Sequence, residues 1–140
     1  MSDVAIRPYN PEIDYPNVEA NLRQAELFDA DRDTEERLRQ YAHSVLVAEK
    51  DGQVVGSVYV VDHIVPTLFR LVVNENHRRQ GIGSALVEAS KQRLETSGAK
   101  DLELFFEAHD RDLAAWYHRR GFKEGGSYRS MWDYITPPES

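Results

Sequence analysis

Apolar and polar positions sort this chain into short segments of two kinds. Val4-Ala5-Ile6-Arg7 reads as a first strand, ended by Pro8 and the turn-forming Asn10-Pro11. Tyr15, Val18, Leu22 and Ala25 recur at three- and four-residue steps, which predicts a helix capped by Asp14. A second helix is predicted from Asp33 as cap, with Glu36 three residues on as its capping-box partner and Leu38, Tyr41 and Ala42 facing inward. Ser44 to Glu49 and Val54 to Val61 are strand-like and joined through Lys50-Asp51-Gly52-Gln53. Both residues of an Asp-Gly turn tolerate positive φ, so these strands should be antiparallel neighbours. Thr67 to Val73 follows the bend Asp62 to Pro66 and extends the meander.

The second half changes rhythm. Ile82, Ala85, Leu86, Ala89 and Leu94 make an apolar stripe, Glu88, Lys91, Gln92 and Glu95 the wet face, and Gly98 a stop. Asp101 to Glu107 reads as a strand again, and a strand, helix and strand of this length favour parallel pairing by a right-handed crossover. Asp110 or Asp112 then caps a short helix carrying Leu113, Trp116, Tyr117 and Arg120, closed by Gly121-Phe122. Gly125-Gly126 predicts a last bend into an aromatic-rich strand, Tyr128 to Ile135, with Trp132 and Tyr134 as packing residues. The class is α/β, organised as a single domain over residues 1–136 with a short tail, 137–140.

Charge and composition narrow the chemistry. The net charge is −7, and residues 1–62 carry all of it, with 13 acidic and 6 basic side chains against 11 of each afterwards. An acidic chain is a poor match for nucleic acid, whose binding relies on Lys and Arg neutralising phosphates. No run of apolar residues reaches membrane-spanning length and the N-terminus lacks a secretory pattern, so no membrane partner and a cytoplasmic location are expected. The absence of cysteine removes thiolate metal sites and a cysteine nucleophile. Asp29-Ala30-Asp31-Arg32-Asp33 opens like a calcium loop, but Thr34 stands where that loop needs glycine and Gln40 where it needs glutamate, so no metal is expected.

The most informative stretch is Leu71-Val72-Val73 followed by Arg78-Arg79-Gln80-Gly81-Ile82-Gly83-Ser84, where a strand gives way to a basic, glycine-punctuated turn and a helix. Helix starts present unpaired N–H groups and partial positive charge, so a turn that bends them round an anion suits a pyrophosphate. Gly81 and Gly83 are expected to allow close approach and left-handed angles. A dinucleotide fingerprint would need Gly or Ala at Leu86, and the nucleotide P-loop needs Gly-Lys-Ser/Thr, which is not present. The remaining pattern, Arg-x-x-Gly-x-Gly after a strand with Leu71-x-Val73, resembles the acyl-CoA signature of the GNAT superfamily of N-acetyltransferases. The resemblance runs over residues 54 to 128, because Trp116-Tyr117-His118-Arg119-Arg120-Gly121-Phe122 repeats the family's later Tyr-x-x-x-Gly-Phe helix end.

That resemblance implies a mixed, mostly antiparallel central sheet with a splayed parallel strand pair and flanking helices. It implies acetyl-CoA as co-substrate, with Leu71, Val72 and Val73 along its pantetheine arm and Arg78 through Ser84 at its pyrophosphate. Tyr117 falls where the family's general acid stands. Asp110 replaces the family's frequent asparagine and Leu113 its alanine. For the base, the strand before the glycine turn offers only Arg70, which leaves Glu107, His109 and His63, of which Glu107 is preferred. The acceptor implied is a primary amine, on a small molecule or a peptide, and the acidic first half favours a cationic one. Acetylation of protein N-termini or lysines, and acyl-CoA sensing without catalysis, are the competing readings; homodimer formation is left open.

Overall fold

The computed structural model describes residues 3–136, 138 and 139. The chain packs as two compact units, Met1–Phe105 and Phe106–Ser140. The first is built on a four-stranded antiparallel sheet in the order β1-β2-β3-β4: β1 (Val4–Pro8), β2 (Val45–Lys50), β3 (Gln53–Val61) and β4 (Thr67–Val73). Asp51 and Gly52 sit at φ 52° and 79° between β2 and β3, as the two-residue hairpin requires.

Each face of this sheet is covered, which is why its strands read as apolar runs rather than clean alternations. On one face lies the long helix α3 (Ile82–Thr96), whose Ile82, Leu86 and Leu94 pack with Leu46, Ala48, Val58, Val60 and Leu68. Gly56 makes this seat possible: a Cβ there would stand 2.9 Å from the Val72 carbonyl oxygen and 3.2 Å from Leu86 Cδ1. On the other face α1 (Tyr15–Gln24) and α2 (Glu35–Gln40) bury Val18, Leu22 and Leu38 against Val45, Val47, Val54 and Val72. Short 3₁₀ turns, Ala42–Ser44 and Glu75–His77, join helix to strand and strand to glycine turn.

Two of the expected caps are built differently. Asp14 occupies the cap position of α1, but its carboxylate accepts from the Asn10 amide at 2.6 Å and from both terminal nitrogens of Arg7 at 2.8 and 2.9 Å, not from the helix. For α2 the cap is Thr34, whose hydroxyl accepts from the Arg37 amide at 3.1 Å, and the capping-box reading of Asp33 fails because Asp33 is drawn into the core.

Asp101 to Glu107 does not form a strand. It meets β4 at one parallel bridge, Thr67 to Glu103, through Glu103 N–H to the Pro66 carbonyl at 2.9 Å and Leu68 N–H to the Glu103 carbonyl at 3.1 Å. Beyond Leu68, β4 bulges and its ladder groups no longer continue in register, so the pairing stops after one step, while Leu102 and Leu104 still pack on the α3-side core.

The second unit holds α4 (Arg111–His118), capped by Asp110, whose carboxylate accepts from the Leu113 amide at 3.0 Å. Gly121, at φ 91°, ends it as the glycine stop predicted. The last predicted strand, Tyr128 to Ile135, is absent among the described residues. Tyr128, Met131, Trp132 and Ile135 are largely exposed, and Trp132 and Tyr134 pack edge-to-face on one another at 5.2 Å rather than in a core. Aromatic richness makes a segment fit for a sheet, but a strand forms only where a neighbour supplies its hydrogen bonds. Pro137 and Ser140 of the predicted tail lie outside the described residues. No helix among the described residues is long and apolar enough to cross a membrane.

Candidate functional site

The predicted site residues divide along the chain: Leu71 to Val73 and Arg78 to Ser84 belong to the first unit, Glu107, Asp110 and Tyr117 to the second.

In the first unit the decisive irregularity is in β4. Val72 opposes Ser57 and Phe69 opposes Tyr59, so Arg70 and Leu71 together stand against the single residue Val58. Arg70 takes a left-handed φ of 54°, uncommon for a residue with a side chain. The extra residue resets the pleat. Leu68, Leu71 and Val73 pack on the α3 face, whereas Phe69 and Arg70 both line a cleft containing residues of α2. One side of β4 pairs with β3; on the other, the single bridge to Glu103 leaves the edge from Phe69 to Val73 with no strand beside it among the described residues.

At the end of that edge the chain is pinned before it turns. Asn74 N–H reaches the Val55 carbonyl at 2.8 Å, its side-chain amide reaches buried Asn21 of α1 at 3.0 Å, and Gln24 accepts the Glu75 amide at 2.9 Å. Arg79 (φ 63°) and Gly81 (φ 79°) are then left-handed and swing the backbone into α3. Gly81 takes a backbone angle that a residue with a side chain rarely adopts, and a Cβ there would meet no protein atom within 4 Å. Gly83 differs from expectation: it lies inside the first turn of α3 and has no positive φ. The first intrahelical bond runs from the Ala85 amide to the Gly81 carbonyl at 3.0 Å, so the amides of Ile82 and Gly83 precede the ladder and point with the positive end of the helix dipole. Arg78 and Arg79 are exposed beside them; Arg78 Nε reaches the Val73 carbonyl at 3.4 Å, and Lys50 bonds the Gln80 side chain.

In the second unit Tyr117 is only 8% exposed. Its ring stacks on Phe106 at 5.6 Å and meets Trp116 and Phe122 edge-on at 5.0 and 5.2 Å. Burial pushes its phenol above the ordinary value, with Arg120 partly opposing, so it holds its proton throughout the neutral range. Glu107 and Asp110 line an open hollow of about 400 Å³ with His109, Arg111 and Asp112, brought together by a turn in which Asp110 N–H bonds the Glu107 carbonyl at 3.0 Å. His63, in the first unit, is exposed, and its Nδ1 accepts the Val65 amide at 3.1 Å.

The sequence reading missed the residues under the β4 bulge. Asp33 is fully buried, accepting from Tyr59 Oη at 2.6 Å, from the Asp29 amide at 2.8 Å and from Arg70 Nε at 3.3 Å. Burial and this bond to the Asp33 carboxylate push the Tyr59 phenol well above its ordinary value. The available signal was a calcium-like loop with the wrong residues for calcium, whose aspartate had to serve something else.

Residues 41–124, more than half of the chain, match the model of the acetyltransferase (GNAT) domain family, and the chain belongs to that family. An N-alpha-acetyltransferase of Sulfurisphaera tokodaii is 33% identical over 105 residues, covering 64% of this chain and 62% of that protein. An uncharacterized N-acetyltransferase of Bacillus subtilis, YhfO, is 27% identical over 128 residues, covering 86% and 83%. Among solved structures, the PaiA N-acetyltransferase of Thermoplasma acidophilum in complex with coenzyme A shares the fold at a TM-score of 0.78 and 16% identity, over 90% of this chain and 93% of that one. Against the first curated relatives the chain spans between 43% and 62% of their length.

Proposed function

We propose that this chain moves an acetyl group from acetyl-CoA directly to a primary amine, in a cytoplasmic protein. The observation that carries the reading is the Phe69–Val73 edge of β4, with no strand beside it among the described residues, running into the left-handed Arg79–Gly81 turn and the first turn of α3, in a chain of the GNAT family. An extended pantetheine arm fits beside Leu71, Val72 and Val73 as an added strand. Its pyrophosphate then falls to Arg78, Arg79, Gln80, Gly81, Ile82, Gly83 and Ser84, where helix dipole and guanidinium charge act together. In this reading the segment after Glu103 diverges from β4 as the second arm of a splayed parallel pair.

The chemistry asks for three things. An amine of pKa about 10.4 must lose a proton, at a cost of about 4–5 kcal/mol near neutral pH, and Glu107 is our candidate to receive it. As the amine nitrogen bonds to the thioester carbonyl carbon, the carbonyl oxygen gathers charge; backbone amides at the bulge, by Leu71 or Val72, suit it. The carbon–sulfur bond then breaks and the departing thiolate takes a proton, for which the buried, protonated phenol of Tyr117 is suited. Asp110 keeps a second carboxylate oxygen beyond its capping bond with which to accept a pantetheine amide.

Similarity to the N-alpha-acetyltransferase of Sulfurisphaera tokodaii supports a second reading, in which the amine is a protein N-terminus. Incubation with acetyl-CoA and a panel of amines and peptides, followed by mass spectrometry, separates the two: a mass gain of one acetyl group on a small amine supports the first, on peptides alone the second. Calorimetry showing no CoA binding would remove both. The acidic first half favoured a cationic amine, but the cleft under the bulge has the opposite sign.

A further inference from the structure

That cleft measures about 460 Å³, the size of a small-molecule site, and is lined by Arg32, Asp33, Arg37, Leu38, Tyr41 and Arg70 among others. It lies wholly in the first unit. Three arginines and one aspartate line it, and that carboxylate is already engaged by Tyr59, Arg70 and a backbone amide. We propose that the amine acetylated by this protein carries an anionic oxyacid group, a carboxylate or a phosphate, held in this cleft by Arg32, Arg37 and Arg70. The inference rests on the acetyltransferase reading and names the acceptor of that same site.

The geometry is specific. Asp33 holds Arg70 by Nε alone, so the guanidinium is oriented while its two terminal nitrogens have no hydrogen bond among the described residues. A guanidinium held in this way is ready for the paired hydrogen bonds that oxyanions accept. Arg37 lies over the ring of Tyr41, its guanidinium carbon 4.9 Å from the centroid, which confines a long side chain to the rim. Arg70 is also the bulge residue next to Leu71, so an anion bound to it is held one residue along the chain from the Leu71–Val73 stretch beside which the pantetheine arm is proposed to lie. Of the acidic side chains in the preceding loop, Asp33 is the one that lines the cleft. Asp29 accepts the Asp31 amide at 2.8 Å, and neither Asp29 nor Asp31 lines the cleft.

The test compares matched pairs that differ only in the anion: an amino acid against its carboxamide, and an aminosugar phosphate against the aminosugar. Thiol release from acetyl-CoA gives kcat/KM for each, and calorimetric titration of the same compounds gives affinity without turnover. The anionic member of at least one pair is expected to win by about 10- to 100-fold, the gain typical of a hydrogen-bonded charge, and which pair responds tells carboxylate from phosphate. The double variant R32Q/R37Q should bring that ratio down by about tenfold or more and leave the KM for acetyl-CoA where it was. Arg70 is spared in the variant because its loss would strand buried Asp33. Equal or reversed preference within both pairs, in turnover and in binding, overturns the inference while leaving acetyl transfer intact, and so does a peptide acceptor used without regard to acidic residues. Absent CoA binding would instead strike the acetyltransferase reading, with the titrations still deciding whether the cleft prefers anions.

Discussion

Replacing Asp33 by alanine should destabilise the protein by about 3 kcal/mol, far more than a loop aspartate would suggest. The side chain has no exposed surface and accepts three kinds of donor: a phenol at 2.6 Å, a backbone amide at 2.8 Å and a guanidinium at 3.3 Å. Removing one partner of a buried ion pair costs roughly 3–5 kcal/mol, because the charge left behind has lost both water and counter-ion. Arg70 keeps 23% of its side-chain surface in solvent and can turn partly toward it, which places the cost at the low end. Tyr59→Phe deletes one of the three donors and should cost about 1.5 kcal/mol, the value of a single hydrogen bond to a charge. Urea unfolding of the wild type, both single variants and the double variant measures this directly. The two effects should fall short of additive, since Asp33→Ala has already removed the acceptor that Tyr59 serves. A loss below about 1 kcal/mol for Asp33→Ala would show that the network is incidental and that the bulge holds Arg70 unaided.

Three further outcomes are expected. Tyr117→Phe keeps the stacked ring and removes the hydroxyl, so turnover should fall by about 10²- to 10⁴-fold with CoA affinity little changed; steady-state kinetics and calorimetry check both halves. Gly56→Ala forces a Cβ to within 2.9 Å of a backbone oxygen, and the overpacking should cost about 1–3 kcal/mol in chemical denaturation despite alanine's backbone advantage. Burial raises the Asp14 carboxyl, but the two bonds from Arg7 and the Asn10 amide outweigh it and hold the group below the ordinary carboxylate range. Its stabilisation is therefore present above the unfolded-state value of about 3.9 and lost as pH falls through the lower folded value, so Asp14→Asn should flatten the decline of melting temperature on acidification.

Much of the sheet was legible in the sequence because its signals are local. Asp51-Gly52 fixes a hairpin through backbone angles alone, and the apolar runs of β2, β3 and β4 fall within a residue of their predicted bounds. Helix α3 was legible for the same reason, through its stripe and its glycine entrance. What depends on partners distant in sequence was not. Asp33 and Asp14 each have the spacing of a cap, yet both were claimed by arginines 37 and 7 residues away. Tyr128 to Ile135 has a strand's composition, but composition cannot state whether an edge is available to pair with it.

The bulge in β4 shows why the site was only half readable. Thr67-Leu68-Phe69-Arg70-Leu71-Val72-Val73 looks like a plain buried strand, and strict alternation would put Leu68, Arg70 and Val72 on one face. That arrangement would bury a guanidinium under α3 among Leu46, Val58 and Leu86. The extra residue avoids this at the cost of one left-handed angle: Arg70 turns to the α2 face, where Asp33 meets it, and Leu71 returns to the core. The same bulge lies on the Phe69–Val73 edge, which has no strand beside it among the described residues. A single irregularity thus shapes both proposed halves of the reaction, the strand edge for the thioester arm and the charged cleft for the acceptor. Acceptor preference in this protein should accordingly respond to changes around Asp33 and Arg70 more than to the exposed acidic side chains that dominate its net charge.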